Sequence, residues 1–157
     1  MLDNSADFRN PGTYGLLSEL NHPRSISVGK IGSIPFESGW YSYIGSALNG
    51  ISVRVNRHLR SNKAIHWHID YVLKYARLRF IILGFSNKKL ECTIARILLE
   101  KQLAYIQGFG CTDCNCKSHM FYDRKHDKIR TMTVQAFLKA GLSYKYLDLR
   151  NTSESQV

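Results

Sequence analysis

The close spacing of the first three apolar segments is the feature that most constrains the fold. Residues 13–20, 25–30 and 40–44 have the alternation or apolar density of β-strands, and residues such as Pro23 and Gly39 mark turns between them. Consecutive parallel strands need a crossover connection of roughly a dozen or more residues, usually a helix. The connections here are shorter, so these segments predict antiparallel pairing.

Helix-period segments follow the early strands and predict an α+β fold. The sequence predicts helices over residues 51–60, 67–75, 88–106 and 133–139, and strands over 78–85, 119–122 and 144–147. This order lacks a regular βαβ alternation, which favours an antiparallel sheet flanked by helices. The 157 residues predict a single domain over 11–150, a flexible lead-in over 1–10 and a polar tail over 151–157.

The composition is that of a basic globular protein. Lys and Arg total 22 against 12 Asp and Glu, a formal net charge of +10, and an excess of this size favours polyanionic partners such as DNA. The hydrophobic fraction of 44% excludes a disordered chain. No apolar run approaches the roughly 18–20 residues of a membrane span, and residues 1–10 lack the apolar core of a signal peptide. We therefore expect a cytoplasmic protein with no membrane partner.

The cysteines form a local cluster and not a disulfide framework. Three of the four fall within six positions, in the order Cys111-x2-Cys114-x-Cys116, and His119 follows. Four soft ligands at this spacing are candidate zinc ligands, although structural zinc sites normally use two ligand pairs separated by a longer loop. A metal-free loop packed on its own sulfur atoms is the favoured alternative, and both interpretations stay open.

Three short motifs carry groups that suit phosphodiester chemistry. Gly12-Thr13-Tyr14 and Tyr43-Ile44-Gly45 lie on strands that can pair, which places the Tyr14 and Tyr43 phenols on one face; core packing is the alternative. In the third, Arg54 and His58 flank the apolar stripe of the helix 51–60, at its seam with the sheet. Two neighbouring cations favour an anion between them, or a neutral histidine that acts as a base.

A carboxylate and three further cations complete the candidate site. Glu91 begins the helix 88–106 on the face that packs toward the sheet, so it stabilises the helix N-terminus or has a partner such as Arg54 or a divalent metal. Asp70 is at i+4 from His66, and capping of the helix start is its favoured role over pairing with that histidine. The cations that point outward, toward a phosphate backbone, are Arg57, Arg60 and Lys63.

In this order the motifs resemble those of the GIY-YIG nuclease superfamily. The longer segments 40–47, 57–60, 66–71 and 113–119 are similar to its small subgroup found alone or beside endonuclease-III-type repair proteins. The resemblance implies an antiparallel sheet of about three strands flanked by helices, with an extended hairpin between the two motif strands. It also implies cleavage that depends on Mg²⁺ (or Mn²⁺) and a repair-protein partner. By the same resemblance Tyr14 is the base or water-orienting phenol, Tyr43 is its hydrogen-bonding partner, and Arg54 stabilises the phosphate charge. His58 takes part in proton transfer, and Glu91 is the metal ligand.

These observations predict a metal-dependent endonuclease that hydrolyses DNA phosphodiester bonds in repair or processing. One alternative is a non-catalytic nucleic-acid-binding module on the same scaffold, which keeps the basic face without turnover. Another is a zinc-stabilised interaction domain organised by Cys111, Cys114, Cys116 and His119. The endonuclease and the binding module use the same cleft, whereas the interaction domain requires a bound zinc ion.

Overall fold

A computed structural model describes residues 6–152 of the chain. The first half contains β1 (Gly12–Leu20), β2 (Arg24–Val28), β3 (Gly32–Phe36), β4 (Gly39–Ala47), α1 (Ile51–Leu59) and α2 (His68–Val72). The second half contains β5 (Arg77–Phe85), α3 (Glu91–Glu100), β6 (Ala104–Tyr105), β7 (Met120–Asp123), α4 (His126–Lys139) and β8 (Lys145–Asp148).

Both predicted termini extend beyond the described residues. Of the flexible lead-in predicted over 1–10, residues 1–5 lie outside the described residues, and Ala6–Arg9 form a 3₁₀ turn. Of the polar tail predicted over 151–157, residues 153–157 lie outside them, and Arg150–Thr152 form a second 3₁₀ turn. The interpretation of both segments as flexible therefore remains a prediction.

Within residues 6–152 the main sheet has six strands, all antiparallel, in the order β6-β7-β4-β1-β5-β8. The α+β class is observed, but the expectation of about three strands is wrong. Strands β4, β1 and β5 form the centre, and the sheet is widened by β6, β7 and β8, which are only two to four residues long. The strands predicted over 119–122 and 144–147 correspond to β7 and β8, so the error lies in the strand number that the resemblance implied. Strand β6 was not predicted, because a two-residue strand takes its stability from non-local pairing that a local sequence pattern does not contain.

The segment between the two motif strands forms a separate two-stranded sheet. Strand β2 pairs with β3 and not with the main sheet. The sequence predicted a loop over residues 32–39, where the structure has β3 up to Phe36. Pro35 lies in this strand, and β3 pairs on one side only, which is the kind of strand position where proline is tolerated.

Two hydrophobic cores lie on opposite faces of the main sheet. One packs α1, α2 and the β2–β3 hairpin against the face that carries Tyr14, Leu16 and Tyr43. The other packs α3 and α4 against the face that carries Leu17 and Ile44. Strand β1 is buried along almost its whole length because β4 and β5 pair with its two edges and helices cover both faces.

The third helix is shorter than predicted. It ends at Glu100, and Gln102 has a positive φ of 61°, a left-handed conformation that stops helical propagation. The predicted helix end, near residue 106, is instead β6 and the start of the loop that carries three cysteines. A search for membrane-spanning segments finds none among the helices of the described residues.

Candidate functional site

Four of the predicted catalytic and metal-binding residues line one cleft of about 390 Å³, and the fifth, His58, lines a neighbouring cavity. Four separate elements supply its walls, since Tyr14 is on β1, Tyr43 on β4, Arg54 on α1 and Glu91 at the start of α3. The sequence reasoning did not place the remaining polar lining residues in the cleft, among them His66, His68, Lys89, Asp113 and His119. The cleft therefore combines phenols, imidazoles, two cations and two carboxylates.

Tyr14 and His58 form a buried hydrogen-bonded pair behind the cleft. The Tyr14 hydroxyl lies 2.9 Å from Nε2 of His58. Burial and the neighbouring Tyr43 raise the pKa of Tyr14, although Arg54 acts in the opposite direction. Burial lowers the pKa of His58 to about 3, so its imidazole is neutral at pH 7. A neutral imidazole beside a phenol is a proton acceptor for it.

Tyr43 lies in the cleft wall, and its predicted hydrogen bond to Tyr14 is not among the hydrogen bonds of the described residues. The hydrogen bond of the Tyr14 hydroxyl goes to His58, whereas the Tyr43 ring packs edge-on against Phe109 with centroids 6.0 Å apart. Burial raises the pKa of Tyr43 well above its ordinary value. Tyr43 is therefore a protonated phenol in the cleft wall at neutral pH.

Gly45 makes room for the Tyr14 ring. The two residues are directly opposite each other in the β1–β4 pairing. A Cβ atom at position 45 would lie 2.5 Å from both Cζ and the hydroxyl oxygen of Tyr14, which is closer than van der Waals contact permits. The second motif thus positions the phenol of the first, and any side chain at Gly45 would displace it.

Asp70 lies on the far side of His58 and is the main residue of the site that sequence reasoning undervalued. Its Oδ1 is 3.9 Å from the His58 Nδ1, a buried atom with no hydrogen-bond partner. Burial opposes ionisation of Asp70, but hydrogen bonds from Arg57 and two backbone amides lower its pKa to about 2. Asp70 caps the start of α2, accepting 2.9 Å bonds from the amides of His66 and Trp67. The His58 imidazole thus lies between the Tyr14 phenol and the Asp70 carboxylate.

The outward-pointing cations are partly engaged inside the protein. Arg57 donates two hydrogen bonds of 2.9 Å to the Asp70 carboxylate and a third to a backbone carbonyl. Lys63 donates to the His58 carbonyl oxygen at 2.6 Å. Arg60 is exposed. Of the three cations predicted to contact phosphates, Arg57 and Lys63 therefore support the Asp70–His58 pair as well.

Arg54 is held at the cleft by an aromatic ring. Its guanidinium carbon lies 4.2 Å from the centroid of the Trp67 ring, and that of Arg57 lies 4.3 Å from it. Cation–π stacking of this kind orients a guanidinium without occupying its donors. Arg54 therefore points a preoriented positive charge at the cleft.

Glu91 is buried at the cleft wall, and its partners are Ser46 and Lys89 instead of Arg54. The Ser46 hydroxyl donates to Oε2, while Oε1 lies 3.3 Å from the Lys89 ammonium. The same ammonium is 3.8 Å from Oδ2 of Asp113, and the charge of Glu91 raises the pKa of Lys89. Two carboxylates thus converge on one cation.

Three of the four predicted zinc-ligand candidates do meet, but the fourth is replaced. The ligand atoms of Cys92, Cys114, Cys116 and His119 all lie within 4.8 Å of one another. Cys111 is outside this group, and its thiol donates to the Phe109 carbonyl oxygen. The ligand set with Cys111 is therefore corrected to one with Cys92, which sequence reasoning missed because Cys92 is distant in the chain, on α3.

Comparison with known proteins gives one match. The sequence model of a family described as a domain of unknown function, DUF123, matches residues 13–142. No curated protein and no solved structure matches the chain. Because the matching family is this one and not the GIY-YIG nuclease superfamily, the assignment made from the short motifs is corrected.

Proposed function

Because the chain belongs to the DUF123 family, whose description assigns no activity, we propose its function from the cleft: it is a metal-dependent endonuclease that hydrolyses DNA phosphodiester bonds. The observation that carries this proposal is the convergence of Tyr14, Arg54 and Glu91 on one cleft from three separate elements. Hydrolysis of a phosphodiester needs a group to orient water, a cation for the phosphate charge and stabilisation of the leaving oxygen.

Tyr14 and His58 are the groups that would handle the water proton. With its own proton on Nδ1, facing Asp70, His58 presents the Nε2 lone pair to the Tyr14 hydroxyl 2.9 Å away. Tyr14 donates to that lone pair, so its oxygen is available to accept a hydrogen bond from the attacking water. As the new O–P bond forms, the bond between phosphorus and the leaving oxygen breaks, and the leaving oxygen takes a proton from solvent. The water proton passes to the Tyr14 oxygen and the Tyr14 proton to Nε2. Asp70 stabilises the imidazolium that results.

Arg54 supplies positive charge at the cleft. The Arg54 guanidinium is oriented by Trp67 and lies close enough to Tyr14 to lower its pKa, so a phosphate between them would be next to the water-orienting phenol. A guanidinium presents donors in a planar fork that matches phosphate oxygens, and its charge offsets the charge that develops in the transition state.

Glu91 and Asp113 are the residues that would hold a divalent cation. Their oxygens converge on the Lys89 ammonium, at 3.3 and 3.8 Å, which supports a cation site between them. The donors are carboxylate oxygens, the type that Mg²⁺ and Mn²⁺ prefer, and the Lys89 side chain is more than half exposed and has room to leave. When bound, such a cation would polarise the phosphate as a Lewis acid.

The surface charge supports DNA as the substrate. The net charge is +10, and a second cavity, of about 370 Å³, lies on the other side of His58. Five cations line this cavity: Arg60, Lys63, Lys74, Arg77 and Arg79. Phosphate contacts of this kind fix the position of a nucleic acid without reading its sequence.

A non-catalytic nucleic-acid-binding module is the second candidate, and one observation favours it. The Glu91 carboxylate has the Ser46 hydroxyl and the Lys89 ammonium as partners, so its charge is compensated by the chain itself. If Lys89 held this position permanently, the cleft would bind phosphate through Arg54 without cleaving it.

The test is cleavage of supercoiled plasmid and of a panel of branched DNAs with Mg²⁺ or Mn²⁺. We expect metal-dependent cutting by the wild type and a loss of at least about 100-fold in Tyr14→Phe and in Glu91→Gln, with DNA binding retained. The matched controls are Tyr75→Phe, an exposed phenol outside the cleft, and Glu100→Gln, the exposed glutamate at the other end of α3. Both should cut like the wild type.

Two outcomes would contradict the endonuclease proposal. Binding of DNA without cutting under either metal would establish the binding module instead. Cutting that survives in both Tyr14→Phe and Glu91→Gln would place the active centre outside this cleft.

A further inference from the structure

A four-residue cluster of thiols and an imidazole borders the cleft, and the proposed phosphate chemistry does not use it. Its members are Cys92 on α3, Cys114 and Cys116 in the loop between β6 and β7, and His119 at the end of that loop. The cysteines line a surface cavity of about 420 Å³, whereas His119 faces the cleft. The cluster therefore lies between two cavities, with its thiols lining one and its imidazole lining the other.

We propose that Cys92, Cys114, Cys116 and His119 bind a structural Zn²⁺ ion. Tetrahedral zinc has Zn–S distances of about 2.3 Å and Zn–N distances of about 2.0–2.1 Å, which place a ligand sulfur and nitrogen about 3.6 Å apart. The Nε2 atom of His119 lies 3.7 Å from Sγ of Cys92 and 3.7 Å from Sγ of Cys114. These two pairs are spaced as in such a site, and all four ligand atoms lie within 4.8 Å of one another.

The fold supplies the separated chain segments that structural zinc sites normally use and that the short Cys111–His119 spacing lacked. Ligands at Cys111, Cys114, Cys116 and His119 would all come from one tight loop. With Cys92 instead of Cys111, one ligand comes from a helix and three from a distant loop, so two separate chain segments enclose the ion. Four protein ligands leave no open position, which is the arrangement of structural zinc sites and not of catalytic ones.

The surroundings give the ion a defined structural effect. The backbone amide of His119 donates to the Phe109 carbonyl at 2.8 Å, and its carbonyl accepts from the Ile44 amide at 2.9 Å. The site thus joins α3 to the loop and to β4. The two cleft carboxylates, Glu91 and Asp113, each directly precede a ligand in the chain, so the ion would also set the position of the acidic side of the cleft.

The first test is the metal content of the wild-type protein, purified with reductant and without chelator. We expect one zinc per chain by elemental analysis, and its release when a mercurial reagent titrates the thiols. Replacement with Co²⁺ should give the strong visible bands and the sulfur-to-metal charge-transfer band of tetrahedral thiolate coordination. These measurements use the intact chain, so they remain decisive even where a variant fails to fold.

Substitution identifies the ligands. Cys92→Ser and Cys116→Ser should each lose the bound zinc or weaken it at least 10-fold in chelator competition, whereas Cys111→Ser should retain the wild-type content and affinity. Zinc retained in Cys92→Ser but lost in Cys111→Ser would overturn the assignment in favour of the loop-only set. A reduced wild type that contains no zinc and takes up none on addition would overturn the site altogether. Neither result depends on whether the protein cuts DNA.

Discussion

Burial of His58 makes the stability of this protein sensitive to pH in a predictable direction. The pKa of His58 is about 3 in the folded protein because burial disfavours the charged imidazole, and its ordinary value is 6.5. Above pH 6.5 the imidazole is neutral in both states, so it has no effect on the pH dependence. Below pH 6.5 the unfolded chain binds a proton that the folded protein does not bind. The free energy of unfolding therefore falls as the pH decreases from 6.5 toward 3.

The two pKa values set the size of the effect. A histidine with a pKa of 6.5 when unfolded and about 3 when folded lowers the free energy of unfolding by about 2 kcal/mol between pH 7.5 and pH 5. The His58 side chain is almost fully buried, so solvent screening does not reduce this figure appreciably. Asp70 does not interfere, since its pKa of about 2 keeps it ionised over this range.

The measurement is urea unfolding of the wild type and of His58→Gln at pH 7.5 and pH 5. Glutamine can hydrogen-bond to Tyr14 but does not titrate. Burial also lowers the pKa values of His68 and His119, so both proteins lose some stability in acid and the difference between their losses is the test. We expect the wild type to lose about 2 kcal/mol more than His58→Gln.

The control for this test is a substitution at an exposed histidine. His22→Gln, in the exposed turn after β1, should lose as much stability as the wild type. If His58→Gln and the wild type lost the same amount between pH 7.5 and pH 5, the neutral state of His58 would be refuted. The proton-transfer role proposed for it would then fail as well.

Two further substitutions test how the cleft is held. Gly45→Ala would place a Cβ atom 2.5 Å from the Tyr14 ring and should lower the free energy of unfolding by about 1–3 kcal/mol. The control Gly15→Ala, whose Cβ would have neighbours no closer than 3.4 Å, should lower it less. Equal losses in urea unfolding would contradict this account. Asp70→Asn leaves a largely buried arginine without its ion pair and should cost about 3 kcal/mol, while Glu19→Gln, which breaks a more exposed pair, should cost no more than about 1 kcal/mol. A larger loss in Glu19→Gln than in Asp70→Asn would refute the ranking.

Sequence patterns predicted the parts of the site that depend on local periodicity. Tyr14 and Tyr43 lie on paired strands because alternation specifies which face a strand residue occupies. Arg54 and His58 lie one turn apart at the seam of α1 because the apolar stripe of that helix fixes its orientation. These positions follow from periods of 2 and 3.6 residues, which the sequence displays directly.

The remaining parts depend on contacts between distant segments. Cys92 joins Cys114 and Cys116 only because α3 packs beside the loop between β6 and β7. Asp70 lies opposite His58 because Arg57 and two amides hold it there, and no periodicity links α2 to α1 in this way. The two-residue strand β6 was missed for the same reason, since its stability comes from pairing with β7.

The position of β1 at the centre of the sheet divides the cleft into two halves with different freedom to move. Tyr14 is on a strand paired along both edges and covered on both faces, and such strands open only when the whole protein unfolds. Asp113 is on an exposed loop, and Lys89 lies in the segment before α3, outside regular secondary structure. Rearrangement of the cleft is therefore more accessible at the exposed Lys89 side chain than at Tyr14, whose strand holds it in a constant geometry.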